Sequence, residues 1–123
     1  MKNIIVIDDS PTIRTSVQFA LKQLGHNIRQ AENGLKGLEV VDEVMDQKED
    51  LALCVVDINM PEMDGITFVK EFRKKDKFTP VLVLTTESEE DKMKEGKAAG
   101  ASGWMVKPFK PNDLIGVVQK LIR

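Results

Sequence analysis

Four short apolar runs each stop at a polar residue. Ile4-Ile5-Val6-Ile7 stops at Asp8-Asp9, Leu51-Ala52-Leu53-Cys54-Val55-Val56 at Asp57, Val81-Leu82-Val83-Leu84 at Thr85-Thr86, and Trp104-Met105-Val106 at Lys107-Pro108. Short unbroken runs rich in Val and Ile match strands covered on both faces, as in a parallel sheet. Between them the period changes to that of a helix. Ser10 before Pro11 reads as an N-cap with proline at the first helical position, Ile13, Val17, Leu21 and Leu24 share a face, and Gly25 suits the stop. A short strand is expected near Asn27 to Gln30. Asn33 then caps a helix whose inner face is expected to use Leu35, Leu38, Val41 and Met45. Ile66, Val69 and Phe72 mark a helix from Gly65 to about Lys75, and Leu114, Val117, Val118 and Leu121 mark one from Pro111 to Ile122. The stretch from Ser88 to about Ala98 is polar apart from Met93, which predicts a lightly anchored helix.

Strand and helix therefore alternate five times. The fold class expected is α/β, a doubly wound five-stranded parallel sheet with helices on both faces. All the strands' carboxyl ends then share one edge, where open α/β sheets place ligands. That edge would gather Asp8, Asp9, Asp57, Thr85 and Lys107 from separate places in the chain.

Composition narrows the options. A chain of 123 residues is expected to form a single domain, residues 1–123, with nothing after Arg123 to make an output domain. The net charge is −2, with Lys and Arg scattered rather than striped, which argues against nucleic acid. No apolar run is longer than Leu51 to Val56, too short to span a membrane, and the opening apolar stretch is too short for a signal-peptide core. One cysteine, Cys54, excludes an internal disulfide. A cytoplasmic, monomeric protein is the resulting expectation.

The three carboxylates carry the chemistry. Two unit charges about 4 Å apart repel by roughly 1 kcal/mol in water and about 4 kcal/mol at an effective dielectric of 20. A cation would offset that, and carboxylate, carbonyl and water oxygens suit Mg²⁺. A plainer reading is that Asp8-Asp9 ends a strand and caps a helix; the matching strand-end positions of Asp57 and Lys107 favour the metal. Asp57 is the candidate nucleophile, because a carboxylate can attack phosphorus and form an aspartyl phosphate. Lys107 would place a point charge on the phosphoryl oxygens, and Thr85 a hydroxyl donor. Singly, Thr85 also reads as a strand-end hydroxyl and Lys107 as a solvated lysine.

The stretches Ile7-Asp8-Asp9-Ser10, Val56-Asp57-Ile58-Asn59-Met60-Pro61-Glu62-Met63-Asp64-Gly65, Leu84-Thr85-Thr86 and Val106-Lys107-Pro108-Phe109 resemble the receiver domain of bacterial response regulators. The likeness covers essentially the whole chain, and Gly100 to Phe109 is similar to the single-domain, chemotaxis CheY-like members. It implies strand order 2-1-3-4-5. It further implies that Asp57 takes a phosphoryl group from a sensor histidine kinase, CheA-like. Mg²⁺ would sit on Asp9, Asp57 and the Asn59 backbone carbonyl, with Asp8 acting mainly through water. Thr85 and Lys107 would hold the phosphoryl oxygens, and the Lys107-Pro108 bond would be cis. Thr85 and Trp104 would form the switch, although Trp104 also reads as an ordinary strand aromatic. Trp stands where the family usually has Tyr or Phe. Asn59 and Glu87 would tune dephosphorylation. Lys97, Trp104 and Lys110 would face the target, for which the flagellar motor switch protein is the leading candidate, with a phosphatase as a possible further partner.

Other functions fit less well. A phosphorelay or phosphate-sink receiver outside chemotaxis shares every motif. A haloacid-dehalogenase-like phosphatase needs an acid/base Asp two residues after the nucleophile, where this chain has Asn59. A flavodoxin-type module needs a hydroxyl-rich phosphate loop where Asp8-Asp9 stands. The expectation is a phosphoacceptor that dephosphorylates itself slowly, and not a turnover enzyme. His26 reads as a surface residue, Cys54 as core, the glycine-rich Gly96 to Gly103 as a helix end and turn, and Lys74 to Lys77 as a solvated loop.

Overall fold

Strands and helices alternate through the chain in the computed structural model, which describes residues 2–86 and 90–122. In order they are β1 (Asn3–Ile7), α1 (Pro11–Leu21), a 3-10 turn (Lys22–Leu24), β2 (Asn27–Ala31), α2 (Gly34–Asp46), β3 (Leu51–Asp57), α3 (Gly65–Lys75), β4 (Val81–Thr85), α4 (Glu90–Ala99), β5 (Gly103–Val106) and α5 (Pro111–Ile122). The five strands form one sheet in the order β2-β1-β3-β4-β5, every pair parallel.

Alternate side chains of the inner strands supply two cores. Ile5, Ile7, Cys54, Val56, Val81 and Val83 pack with Val41 and Val44 of α2 and Phe68, Val69 and Phe72 of α3. Ile4, Val6, Leu53, Val55, Leu82 and Leu84 pack with Val17, Ala20 and Leu21 of α1 and Leu114 and Val118 of α5. Because helices cover both faces, the inner strands carry no polar alternation. Each fully buried aliphatic side chain contributes roughly 1.5–3 kcal/mol of transfer free energy.

Helix starts follow their capping residues. The Ser10 hydroxyl accepts from the Ile13 N–H at 3.2 Å, Asn33 from Lys36 at 2.9 Å and Asp64 from Thr67 at 2.8 Å. Each such cap is worth roughly 1 kcal/mol. Gly25 closes the 3-10 turn at φ 82°, a left-handed conformation that glycine adopts without penalty.

Three expectations need correction. Leu35 and Met45 of α2 are exposed, and the inner face is instead Gly34, Gly37, Val41 and Val44. Glycine determines this: a Cβ on Gly37 would lie 2.6 Å from Ile7 Cδ1, so the helix backbone approaches the sheet where a side chain would not fit. Lys74 to Lys77 is solvated, as expected, but is not all loop: Lys74 and Lys75 form the end of α3. Lys74 pairs with Glu71 at 2.7 Å, Lys75 pairs with Asp42 across to α2, and Asp76 accepts from the Phe78 and Thr79 N–H groups at 2.9 Å each. His26 is half-buried rather than a surface residue, and its Nδ1 is buried without a hydrogen-bond partner among the described residues.

Helix α4 is lightly anchored, as expected: among its described side chains only Gly96 is buried. Its predicted start at Ser88 lies outside the described residues. Among the described residues, no helix is long and apolar enough to cross a membrane.

Candidate functional site

Strand register assembles the acidic corner. Ile7 pairs with Val56, Asp57 with Leu84, and Thr85 with Val106. Asp8, Asp57, Thr85 and Lys107 therefore stand at the carboxyl ends of adjacent strands. Oxygen atoms of Asp8, Asp9 and Asp57 all lie within 4.8 Å of one another. Asp8 is wholly buried, Asp57 is 4% exposed and Asp9 is exposed. Lys107 Nζ bridges the two buried carboxylates, 3.0 Å from Asp8 Oδ2 and 3.3 Å from Asp57 Oδ1. The Lys107 N–H donates to the Thr85 carbonyl at 2.6 Å, and the Lys107–Pro108 peptide bond is cis.

Local contacts hold each group in place. Asp8 Oδ1 accepts from the Ser10 N–H at 2.9 Å, and the Arg14 guanidinium donates to the Asp8 carbonyl. The turn after β3 depends on Gly65, whose N–H donates to the Ile58 carbonyl at 3.0 Å. A Cβ on Gly65 would fall 2.3 Å from the Asp57 carbonyl oxygen, so no other residue fits without moving the end of β3.

Electrostatics leave the corner short of positive charge. Burial, and then repulsion from Asp8, push the Asp57 carboxyl above its ordinary range; Lys107 and the Asn59 backbone N–H only partly offset them. The donor set passes a test for a hard divalent cation: three clustered carboxylates, one bridging ammonium and no soft ligand.

Trp104 lies between this corner and α4. It is half-buried and packs on the α2–α3 side of the sheet. With Ile58, Val83, Thr85, Lys92 and Met93 it encloses a cavity of about 10 Å³ directly behind Thr85. It also lines an open cleft of about 430 Å³ with Met93, Lys97 and Gly103. Lys97 and Lys110 are exposed. Asn59 is exposed, two residues after Asp57, and Glu87 lies outside the described residues. Lys92 was not foreseen. It reaches Asn59 Oδ1 at 3.5 Å, and the one sequence signal for it is its place in the first turns of the helix that follows Thr85.

A doubly wound parallel sheet with an acidic corner at its carboxyl edge, bridged by a lysine from the last strand's end, defines a class of phosphoacceptor domains. Residues 4–119 match the response regulator receiver domain, and the chain belongs to that family. It is 33% identical over 114 residues to a chemotaxis protein CheY homolog of Campylobacter jejuni, covering 90% of this chain and 85% of that protein. Identity is also 33% over 122 residues with the alkaline phosphatase synthesis transcriptional regulatory protein PhoP of Bacillus subtilis, covering 99% of this chain but 49% of the regulator. The structure of Vibrio cholerae chemotaxis protein CheY4 superposes with a TM-score of 0.87 at 40% identity, covering 98% of each chain.

Proposed function

We propose that this receiver accepts a phosphoryl group on Asp57 from a phosphohistidine of a sensor histidine kinase, in a Mg²⁺-dependent step, and that the phosphorylated form binds the flagellar motor switch. The observation that carries this reading is the burial of Asp57 between Asp8 and Lys107 at the sheet edge. Asp8, Asp9 and Asp57, with the Asn59 main-chain carbonyl, would hold the ion, which neutralises charge and orients the transferring group. An Asp57 carboxylate oxygen forms the new P–O bond as the P–N bond to imidazole breaks. The bonding electrons stay on the ring nitrogen. Lys107 turns from the carboxylates to the phosphoryl oxygens, and Thr85 donates its hydroxyl to them. Trp104 follows Thr85, and the surface formed by Lys97 of α4 and Lys110 before α5 changes its partner. By the family resemblance, Asn59 and Glu87 would set the lifetime of the phosphoryl group.

Similarity to the Campylobacter and Vibrio chemotaxis proteins supports the motor as target. Equal identity to the Bacillus regulator makes a relay or sink receiver outside chemotaxis the reading to test against it. Incubation with acetyl phosphate and Mg²⁺ should add one phosphoryl mass to the intact protein and change Trp104 emission. Asp57→Asn should add none; labelling retained in that variant would move the acceptor elsewhere. In a pull-down with a motor switch protein, capture only after beryllofluoride treatment supports the motor, and equal capture with and without it removes that target.

A further inference from the structure

Charge at the acceptor corner does not balance once the group arrives. A divalent ion and Lys107 together match the three carboxylates, but an acyl phosphate brings about −1.5 to −2 where Asp57 carried −1. That excess calls for one more cation. Among the described residues, Lys92 is in no ion pair with a carboxylate. It is half-buried in the first turns of α4. Its polar contact among the described residues is weak, 3.5 Å to Asn59 Oδ1, at the outer limit of a hydrogen bond. Lys92 also borders two spaces at once. One is the small cavity behind Thr85, shared with Trp104. The other is an open cleft of about 360 Å³ beside the acceptor loop, lined by Asn59, Thr67 and Lys70 among others. Lys70 lines the cleft but not the Thr85 cavity, so Lys92 is the lysine next to both the acceptor loop and the residue expected to move.

We infer that Lys92 is a second cationic arm of the site: its ammonium leaves the Asn59 amide and pairs with an outer oxygen of the phosphoryl group on Asp57. The inference rests on Asp57 being the acceptor. Lys92 belongs to α4, so the same ion pair draws the first turns of that helix toward the loaded site. It thereby couples occupancy to the surface around Trp104. Helix α4 is suited to respond, since it holds little buried apolar surface and needs little differential energy to shift.

Beryllofluoride, a phosphoryl mimic, provides the test. Wild type, Lys92→Met, Lys92→Arg and Asp57→Asn are titrated with it at fixed Mg²⁺, reading Trp104 emission and, independently, ligand-dependent melting. Lys92→Met should bind the mimic about 10-fold more weakly, the loss expected for one partly exposed charge-assisted hydrogen bond. Lys92→Arg should recover most of the affinity, and the Lys92→Met affinity should fall less steeply with salt. If wild type and Lys92→Met bind within twofold of each other, the second arm is overturned while the acceptor reading stands. An equal loss in the Met and Arg variants would assign Lys92 a packing role and overturn the arm as well. If wild type with Mg²⁺ takes up no mimic, both readings fail together.

Discussion

Two polar corners of this molecule hold similar residues and treat them in opposite ways. At the entry to β4, Arg73 donates to the carbonyls of Gly100, Asp76 and Thr79 at 3.0, 3.1 and 2.7 Å. Asp76 accepts two backbone N–H groups and the Thr79 hydroxyl. Ser102 Oγ accepts from the Val81 N–H at 3.0 Å. Charge there is matched by fixed donors and acceptors of the same chain. At the exit of β3 and β1, three carboxylates cluster, a single lysine bridges two of them, and Asp57 is held above its ordinary pKa. The first corner is complete and locks α3 to the α4–β5 turn. The second is incomplete by construction, and an incomplete corner is one that an ion and a phosphoryl group can finish.

Ligand completion should produce the largest change, and only at the exit corner. Saturating Mg²⁺ should bind the folded protein and not the unfolded chain; at 100 times the dissociation constant the gain would be about 2.7 kcal/mol. For a domain of this size that corresponds to roughly 10 °C in melting temperature. The gain should shrink sharply in Asp9→Ala and be retained in full by Arg73→Met. Equal gains in wild type and Asp9→Ala, measured by thermal denaturation with and without Mg²⁺, would argue against carboxylate coordination.

Next comes the entry corner. Arg73→Met keeps the aliphatic stem but leaves the three carbonyls without their donor, a loss of roughly 2 kcal/mol. Melting should fall by about 8 °C, while labelling of Asp57 by acetyl phosphate should proceed at the wild-type rate when assayed well below the melting temperature. A large drop in labelling would mean that the two corners are coupled through α3 and α4, and the contrast between them would have to be redrawn.

The exit corner was legible in the letters and the entry corner was not, for a physical reason. Asp8, Asp57, Thr85 and Lys107 each follow an apolar run directly, so recognising the strands also located their ends. Parallel topology then brought the ends together with no further information. Arg73, Gly100 and Ser102 meet only through the packing of α3 on the α4–β5 turn, and Arg73 alone reads as one charge in a basic stretch. The α2 face shows the same limit: large residues at helical spacing pointed to Leu35 and Met45, but Gly37 brings the backbone close to Ile7 and turns Val44 inward. Phe68 does not stand out in the letters beside Val69, yet it is wholly buried and stacks on Phe72 at 5.8 Å between ring centroids. Lys92 is not legible in the sequence because its value depends on where α4 sits relative to Asn59.

The smallest effect separates the corners most cleanly, because they titrate with opposite signs. Burial, then Asp8, raise the Asp57 pKa above the ordinary 3.8. At Asp76 burial pushes the same way, but the Thr79 hydroxyl, the Thr79 and Phe78 N–H groups and Arg73 reverse it and leave the pKa below 3.8. A raised carboxyl binds its proton more tightly in the folded state, so ionised Asp57 costs stability at neutral pH. That cost fades as pH falls through the folded value toward 3.8. A depressed carboxyl stabilises above its unfolded value, and its contribution is lost only as pH falls below 3.8 toward the folded one. In metal-free protein, Asp57→Asn should therefore melt above wild type at neutral pH, by an amount on the order of 1 kcal/mol. The advantage should vanish on acidification. Asp76→Asn should melt below wild type, with a deficit that holds steady over the range where the Asp57→Asn advantage disappears and closes only in stronger acid. An Asp57→Asn advantage that stayed constant from neutral pH to about pH 3.9, where an ordinary aspartate is half protonated, would show that repulsion at the exit corner is not what the substitution relieves.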